Sequence, residues 1–596
     1  MCGLVGELRF DGAVADVAAL GRACDRMAAR GPDGSGIWAL GPVGLGHRRL
    51  AIIDLSAAGA QPMVDPDLGL TTVFNGCIYN YEQLRDELGG LGHRFFSHSD
   101  TEVVGKAYAQ WGAECVQRFK GMFAFAIAIA EHRTERLVLA RDRLGIKPLY
   151  LDRTRERLRF ASSLPALLAA GGVDTSIDRT ALAYYLSFHS VVPAPRTILA
   201  GVRKLPPATV RVIEADGSFV DSRYWDPPFA REQSCADWSE RDWQDALIAS
   251  LRTAVERRMV ADVPVGVLLS GGIDSSLVVA LLAEAGQSGL QTFSIGFDSA
   301  GGESGDEFDY SDIVARRFGT DHHRIKIDST RLLPAIDAAV AAMSEPMVSH
   351  DCVAFYLLSQ DVARSVKVVQ SGQGADEILG GYDWYPPLAT VAREDAVDAY
   401  ARGFFDRPYA HLADLLNPEW LDEVDAPREF IVEQFARSGA ETSVDAALHN
   451  DTTIMLVDDP VKRVDNMTMA AGLEARVPFL DHDVVELAAL IPPEQKLADG
   501  GKGVLKRASR GIVPDAVIDR TKGYFPVPAI RQLDGPYLAR VRDALTEPAA
   551  KRRGLFRPET VEKMLADPNR TRTTLGSNAL WQLALIEMWL QAMDVH

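Results

Sequence analysis

Two short stretches of this 596-residue chain hold residue types that could do covalent or phosphate chemistry. Cys2 becomes the first residue if Met1 is removed. A free α-amino group titrates at about pH 8, so it could act as the base for its own side chain. That would make an N-terminal nucleophile. The alternative is a cysteine beside the start methionine by chance, and position alone favours it. The second stretch is Ser270-Gly271-Gly272-Ile273-Asp274-Ser275-Ser276, after the apolar run Val267-Leu268-Leu269. Two glycines let a backbone wrap an anion, and a following helix adds its positive end. Ser270, Ser275 and Ser276 can donate to phosphate oxygens. No G-x-x-x-x-G-K-[ST] pattern occurs, so kinase-like γ-phosphate transfer is not indicated. The bland alternative is a serine-capped helix after a glycine turn.

These residues need elements to position them. The first part alternates short strand-like runs with turns: Leu4 to Phe10, Val43 to Ile53, Thr71 to Ile78, Phe123 to Ile129 and Leu137 to Ala140. Val14 to Ala29 has a helical apolar face. Ser99-Asp100-Thr101-Glu102 has capping-box spacing and predicts a helix to about Trp111. This is a sheet-rich α+β domain, expected over 1–215. The polar, aperiodic stretch from Tyr224 to Gln244 marks a linker, placed over 216–244. Beyond it, 245–596 forms the second domain. There, Val263 to Leu269 reads as a strand buried on both faces, followed by a helix from Ser275 to Ala285. Thr292 to Phe297 and Val366 to Gln370 are further buried strands. Strand–helix alternation predicts an α/β doubly wound parallel sheet, and from about Val391 the chain reads mostly helical.

Composition narrows the class. At 596 residues, 47% hydrophobic and 24% charged, the chain suits two or more globular domains. A formal net charge of -19 argues against nucleic acid and anionic membranes as partners. Six scattered cysteines show no C-x-x-C spacing and suggest a reducing compartment. His322, His323 and His350 lack zinc-ligand spacing; the first two suit a strand edge and the third a loop. The N-terminus lacks a basic start and apolar core, and Met122 to Ala130 is too short to span a membrane, so a cytoplasmic enzyme is expected.

Other motifs accompany Cys2: Gly3 and Gly6, Arg30-Gly31-Pro32-Asp33, His47-Arg48-Arg49-Leu50, Asn75-Gly76 and Ser99-Asp100-Thr101-Glu102. Over about the first 210 residues these resemble, in order, the class II glutamine amidotransferase domain. The resemblance implies an N-terminal nucleophile hydrolase-type sandwich with Cys2 attacking the glutamine amide. Asn75 and the Gly76 N–H would stabilise the oxyanion. Arg49 would hold the α-carboxylate and Asp100 the α-amino group. Singly, a turn, a surface charge and a helix-end charge explain these residues as well. The family has Glu where this chain has Cys77, which leaves Asp100 carrying more of the amino contact.

Ser-Gly-Gly-x-Asp-Ser resembles the pyrophosphate loop of N-type ATP pyrophosphatases. Gln370-Ser371-Gly372-Gln373-Gly374-Ala375-Asp376-Glu377, Glu474 to Asp481, Lys502-Gly503-Val504-Leu505-Lys506 and Arg520-Thr521-Lys522 resemble segments of asparagine synthetases. Both domains together are similar to the glutamine-hydrolysing asparagine synthetase family over nearly the whole chain. The resemblance implies ATP bound by Leu268, Ser270, Gly271, Gly272, Asp274, Ser275, Ser276, Ile295, Ser371 and Gly372. Asp274 and Asp376 would hold Mg2+, a hard ion suited to oxygen ligands, and Lys522 would be a catalytic cation. It further implies an acyl-adenylate, release of AMP and pyrophosphate, and ammonia passing inside the protein. The expected partners are glutamine and a small carboxylate acceptor, with a homodimer left open.

The family has Glu at Gln373. A neutral amide cannot take up a proton as ammonia attacks. Stretches such as NGCIYNYEQLRDEL and VVQSGQGADEILGGYDWY most resemble the N-acetylglutaminylglutamine amidotransferase branch, linked to an osmoprotectant dipeptide amide. The competing readings are an asparagine synthetase acting on aspartate, and a glutaminase-like regulatory or binding protein without synthesis.

Overall fold

The computed structural model describes residues 2–131, 134–231, 235–297, 306–349, 351–521, 523 and 527–596. Lys522 and His350 lie outside the described residues.

The first half is a sandwich of two six-stranded sheets. One runs, in spatial order, Val202–Lys204, Tyr150–Arg153, Arg157–Ala161, Gly3–Arg9, Val43–Arg49 and Gly34–Leu40. The other runs Phe219–Arg223, Thr209–Ile213, Thr134–Arg141, Gly121–Glu131, Leu70–Ile78 and Met63–Asp65. Neighbours pair antiparallel. Leu4, Leu8, Leu45, Val73 and Phe160 pack between the sheets with no exposure. Strand alternation puts such residues on the inner face. Truncating Phe160 to alanine would cost about 3–5 kcal/mol.

Helices Val17–Arg26 and Leu164–Ala170 pack together beside the first sheet, and Tyr81–Gly90 and Asp100–Trp111 pack beside the second. The first helix is shorter than the expected Val14 to Ala29, because Asp16 caps it by accepting from the Ala19 N–H at 2.9 Å. The helix expected after Ser99 is present, and Ser99 accepts from the Thr101 N–H. The reciprocal half of the box is not formed. Glu102 turns instead to the N–H groups of Phe96 and Ser97, at 2.9 and 2.7 Å. The strand expected to reach Ile53 ends at Arg49, where the chain leaves the sheet.

The stretch 216–244 contains the paired strand Phe219–Arg223 and the first turn of helix Glu240–Arg257. Ser239 and Asp242 form a reciprocal capping box there.

The second half carries a parallel five-stranded sheet in the order Asp321–Ile327, Gln291–Phe297, Val265–Leu268, Val368–Gln370, Glu474–Arg476. Strand order reverses between Val265–Leu268 and Val368–Gln370. In doubly wound sheets, ligands bind beyond the carboxyl ends at such a switch point. The rest is mostly helical, with the short strand Glu474–Arg476 as an exception within the region expected to be helical.

Buried ion groups tie the halves together. Asp465 takes Arg30 at 3.0 Å and Lys147 at 3.2 Å. Burial works against its charge, yet Arg30 and Lys147 hold its carboxyl below the usual range. Lys204 likewise reaches Asp458 at 2.6 Å and Glu345 at 3.0 Å. No helix among the described residues is long and apolar enough to cross a membrane.

Candidate active sites

Cys2 lies at the entry of the strand Gly3–Arg9, and Asn75 and Gly76 lie on the strand Leu70–Ile78 of the other sheet. The sandwich therefore brings them together at one edge of its interior. The Cys2 backbone N–H donates to Asn75 Oδ1 at 3.0 Å. Asn75 Nδ2 donates to Ser162 Oγ at 3.4 Å, and that hydroxyl also takes the Leu4 N–H at 3.1 Å. The Asn75 amide is thus oriented from both ends. Glycine is required at 76, because an added Cβ would stand 2.2 Å from the Met122 carbonyl of the paired strand.

Cys2, Arg49, Gly76, Cys77 and Asp100 line one pocket. Arg49 donates to the backbone carbonyls of Ser56, at 3.0 Å, and Asp54. A guanidinium has five N–H donors, so others remain for an anion. Asp100 is buried and accepts from the Ile78 N–H at 3.1 Å. Burial pushes its carboxyl up to about 6, with Glu474 adding to the rise and Arg476 opposing it. Burial also raises the Cys2 thiol. Glu474 and Arg476 reach this pocket from the other half of the chain. Sequence reasoning placed both in a synthetase segment and did not anticipate them here.

The second site opens where the parallel sheet reverses. The loops after Val265–Leu268 and Val368–Gln370 face each other across a cleft of about 210 Å³. Leu268, Ser270, Asp274, Ser275, Ile295, Ser371, Gly372 and Asp376 line it. Gly271 and Gly272 of the same loop, and Ser276 in the helix Ile273–Glu284 that follows it, are not among its lining residues. The Ser276 hydroxyl is buried with no hydrogen-bond partner among the described residues. Ser275 Oγ meets the Ser270 N–H and Ser270 Oγ, both at 3.2 Å, so hydroxyls fold the loop back on itself. A Cβ on Gly372 would stand 2.7 Å from the Ser275 nitrogen, so glycine lets the loops touch.

Lys502 pairs with two acidic residues that line this cleft. Its ammonium lies 2.8 Å from Asp274 and 3.0 Å from Asp376. Burial opposes its charge, but the two carboxylates hold its pKa above the usual lysine range. Its backbone sits at φ 55°, a left-handed conformation that costs a non-glycine residue about 1–2 kcal/mol. The two aspartates converge on a position that already holds one cation. Such paired carboxylates are the donor set a hard divalent ion uses. A third acidic group, Asp481-His482-Asp483, is neutralised by Arg257, Arg258 and Lys120.

A further chamber of about 800 Å³ adjoins the cleft, and Asp351, Tyr382 and Arg463 line both. Tyr382 and Trp384 stack along it with centroids 4.2 Å apart, and Arg402 and Arg531 add positive charge.

The sequence matches the family profile "Glutamine amidotransferase domain" over residues 1–225 and "Asparagine synthase" over 246–591. The chain belongs to the asparagine synthase family. It is 32% identical to asparagine synthetase [glutamine-hydrolyzing] 1 of Bacillus subtilis (strain 168), over 99% of this chain and 96% of that one. It is 31% identical to asparagine synthetase [glutamine-hydrolyzing] 3 of the same organism, over 88% and 87%. This asparagine synthetase-type chain is accordingly a glutamine-hydrolysing amidotransferase ligase. Lys502 was visible in it only as part of a motif; its contact with both aspartates is a tertiary fact.

Proposed function

We infer that this amidotransferase carries ammonia from Cys2 to an acyl-adenylate, and that the acceptor is the C-terminal carboxylate of N-acetylglutaminylglutamine. Removal of Met1 would free the Cys2 α-amine to take the thiol proton, which matters because burial makes that proton harder to lose. Sγ attacks the glutamine amide carbon. Asn75 Nδ2 and the Gly76 N–H receive the charge that develops on oxygen. The proton leaves with ammonia, and water then releases glutamate from the thioester.

In the cleft, the acceptor carboxylate attacks the α-phosphorus of ATP and pyrophosphate leaves. Ammonia attacks the acyl carbon and AMP leaves. Ser270, Ser275 and the loop backbone hold phosphate oxygens, with Leu268 and Ile295 flanking the nucleotide. Asp274 and Asp376 would hold a magnesium ion, which when bound offsets the charge of the pyrophosphate. Lys502 holds the two aspartates together, and Lys522 is assigned to the charge growing on the leaving group.

The chamber carries the choice of acceptor. It offers about 800 Å³ beside the cleft, the scale of a site for a drug-sized ligand and more than aspartate fills. Its stacked aromatics and arginines suit an amide-rich anion. Gln373 lines the cleft and can hydrogen-bond an acceptor amide, where a carboxylate would repel the anion. The test is pyrophosphate release with ATP, Mg2+ and glutamine, comparing the dipeptide with aspartate. Release with the dipeptide alone supports this acceptor; release with aspartate alone rejects it.

A further inference from the structure

Glutamine carries an α-carboxylate and an α-ammonium, so its pocket must supply opposite charges. Arg49 is the cation contributed by the first half, and Asp100 is its carboxylate. The residue after the Asn75-Gly76 pair offers only the buried Cys77 thiol. The edge strand of the other half supplies Glu474, which lines the same pocket at 1% exposure. We propose that Glu474 is a glutamine-binding residue whose carboxylate holds the substrate α-ammonium, so the glutamine site is complete only when the synthetase sheet is docked against it. This rests on the Cys2 pocket being the glutamine site.

The surroundings are built to hold that carboxylate. Arg476 Nε donates to Glu474 at 2.6 Å. Arg476 Nη1 donates to the carbonyls of Arg258 and Val260 at 2.8 and 2.7 Å, and Nη2 lies 3.7 Å from Cys77 Sγ. Arg476 is therefore clamped to the synthetase half and orients Glu474. Burial opposes its charge, yet the chain's amino terminus, then Arg476 and Lys147, hold Glu474 down to about 2, whereas Asp100 sits at about 6. Glu474 is thus ionised throughout the neutral range, and Asp100 loses its charge just below it.

The experiment compares hydrolysis of glutamine with that of 4-carbamoylbutanoate, which lacks the α-amino group, in the full chain. Glu474→Gln should lower kcat/KM for glutamine about ten- to a hundredfold, mainly through KM. The rate with 4-carbamoylbutanoate should be unchanged, and so should pyrophosphate release driven by free ammonia. Equal loss on both amides would mean a structural role and overturn the proposal, as would no loss on glutamine. Should Glu474→Gln misfold, Glu474→Asp keeps the charge and shortens the reach; the same selective loss supports the proposal and an equal or absent loss rejects it. Wild-type chain without glutaminase activity overturns the pocket assignment and the proposal with it.

Discussion

The Lys502 ammonium stands 2.8 Å from the carboxylate of Asp274, which lines the cleft where two loop motifs meet. Asp376 lies 3.0 Å from the same ammonium. Without this cation the two carboxylates would face each other in a partly buried site. Lys502→Met should lower ammonia-driven pyrophosphate release at least about a hundredfold. It should also destabilise the fold, because it removes a buried cation shared by two partly buried carboxylates. Denaturant unfolding checks the second effect, and retained glutamine hydrolysis shows that the first is local.

Cys2→Ala should abolish glutamine-driven synthesis and leave ammonia-driven synthesis intact. The proposed sites for the two chemistries are separate pockets, one lined by Cys2 and Asp100 and the other by Ser270 and Asp376. Asn75→Ala should lower glutaminase kcat by about 10²–10³-fold, the usual cost of one oxyanion donor. Parallel assays with glutamine and with ammonium chloride check both.

Glutamine binding should weaken in acid. Asp100 is raised to about 6 by burial and faces Glu474, Arg476 and the Ile78 N–H. Below that pH it is neutral and cannot pair with the α-ammonium. KM for glutamine should therefore rise as pH falls through about 6, and Asp100→Asn should have a raised KM without this dependence. On stability the same shift acts in the opposite sense. The folded state holds the proton more tightly than the unfolded chain, so this group favours folding below about 4 and loses that contribution as pH rises through about 6. KM against pH for both proteins checks the binding effect.

Gln373→Glu should lower kcat/KM for the dipeptide acceptor about tenfold or more, because it sets a negative charge beside an anionic acceptor in the cleft. ATP-dependent pyrophosphate release at varied dipeptide concentration measures this. Full retained activity and affinity would remove Gln373 from acceptor selection.

Asp465→Asn should cost about 3–5 kcal/mol, since Arg30 and Lys147 would lose the shared carboxylate that joins the two halves. Denaturant midpoints read the loss directly.

Local pattern alone determined much of this protein. The alternating runs around Leu4, Val73 and Leu139 marked strands, and the buried run before Ser270 marked the parallel sheet, because burial periodicity is written residue by residue. Cys2, Asn75-Gly76 and the Ser270 to Ser276 loop were legible because each is a contiguous motif with its own chemistry. The helix after Ser99 was legible too, although Glu102 bonded elsewhere once its neighbours were in place. Only the tertiary structure decided what lies across a gap in the chain. Glu474 enters the Cys2 pocket, Lys502 joins Asp274 to Asp376, and Arg463 lines both the cleft and the chamber. Spacing along the chain carries no signal for such contacts, because they depend on how sheets stack and on which strand becomes an edge.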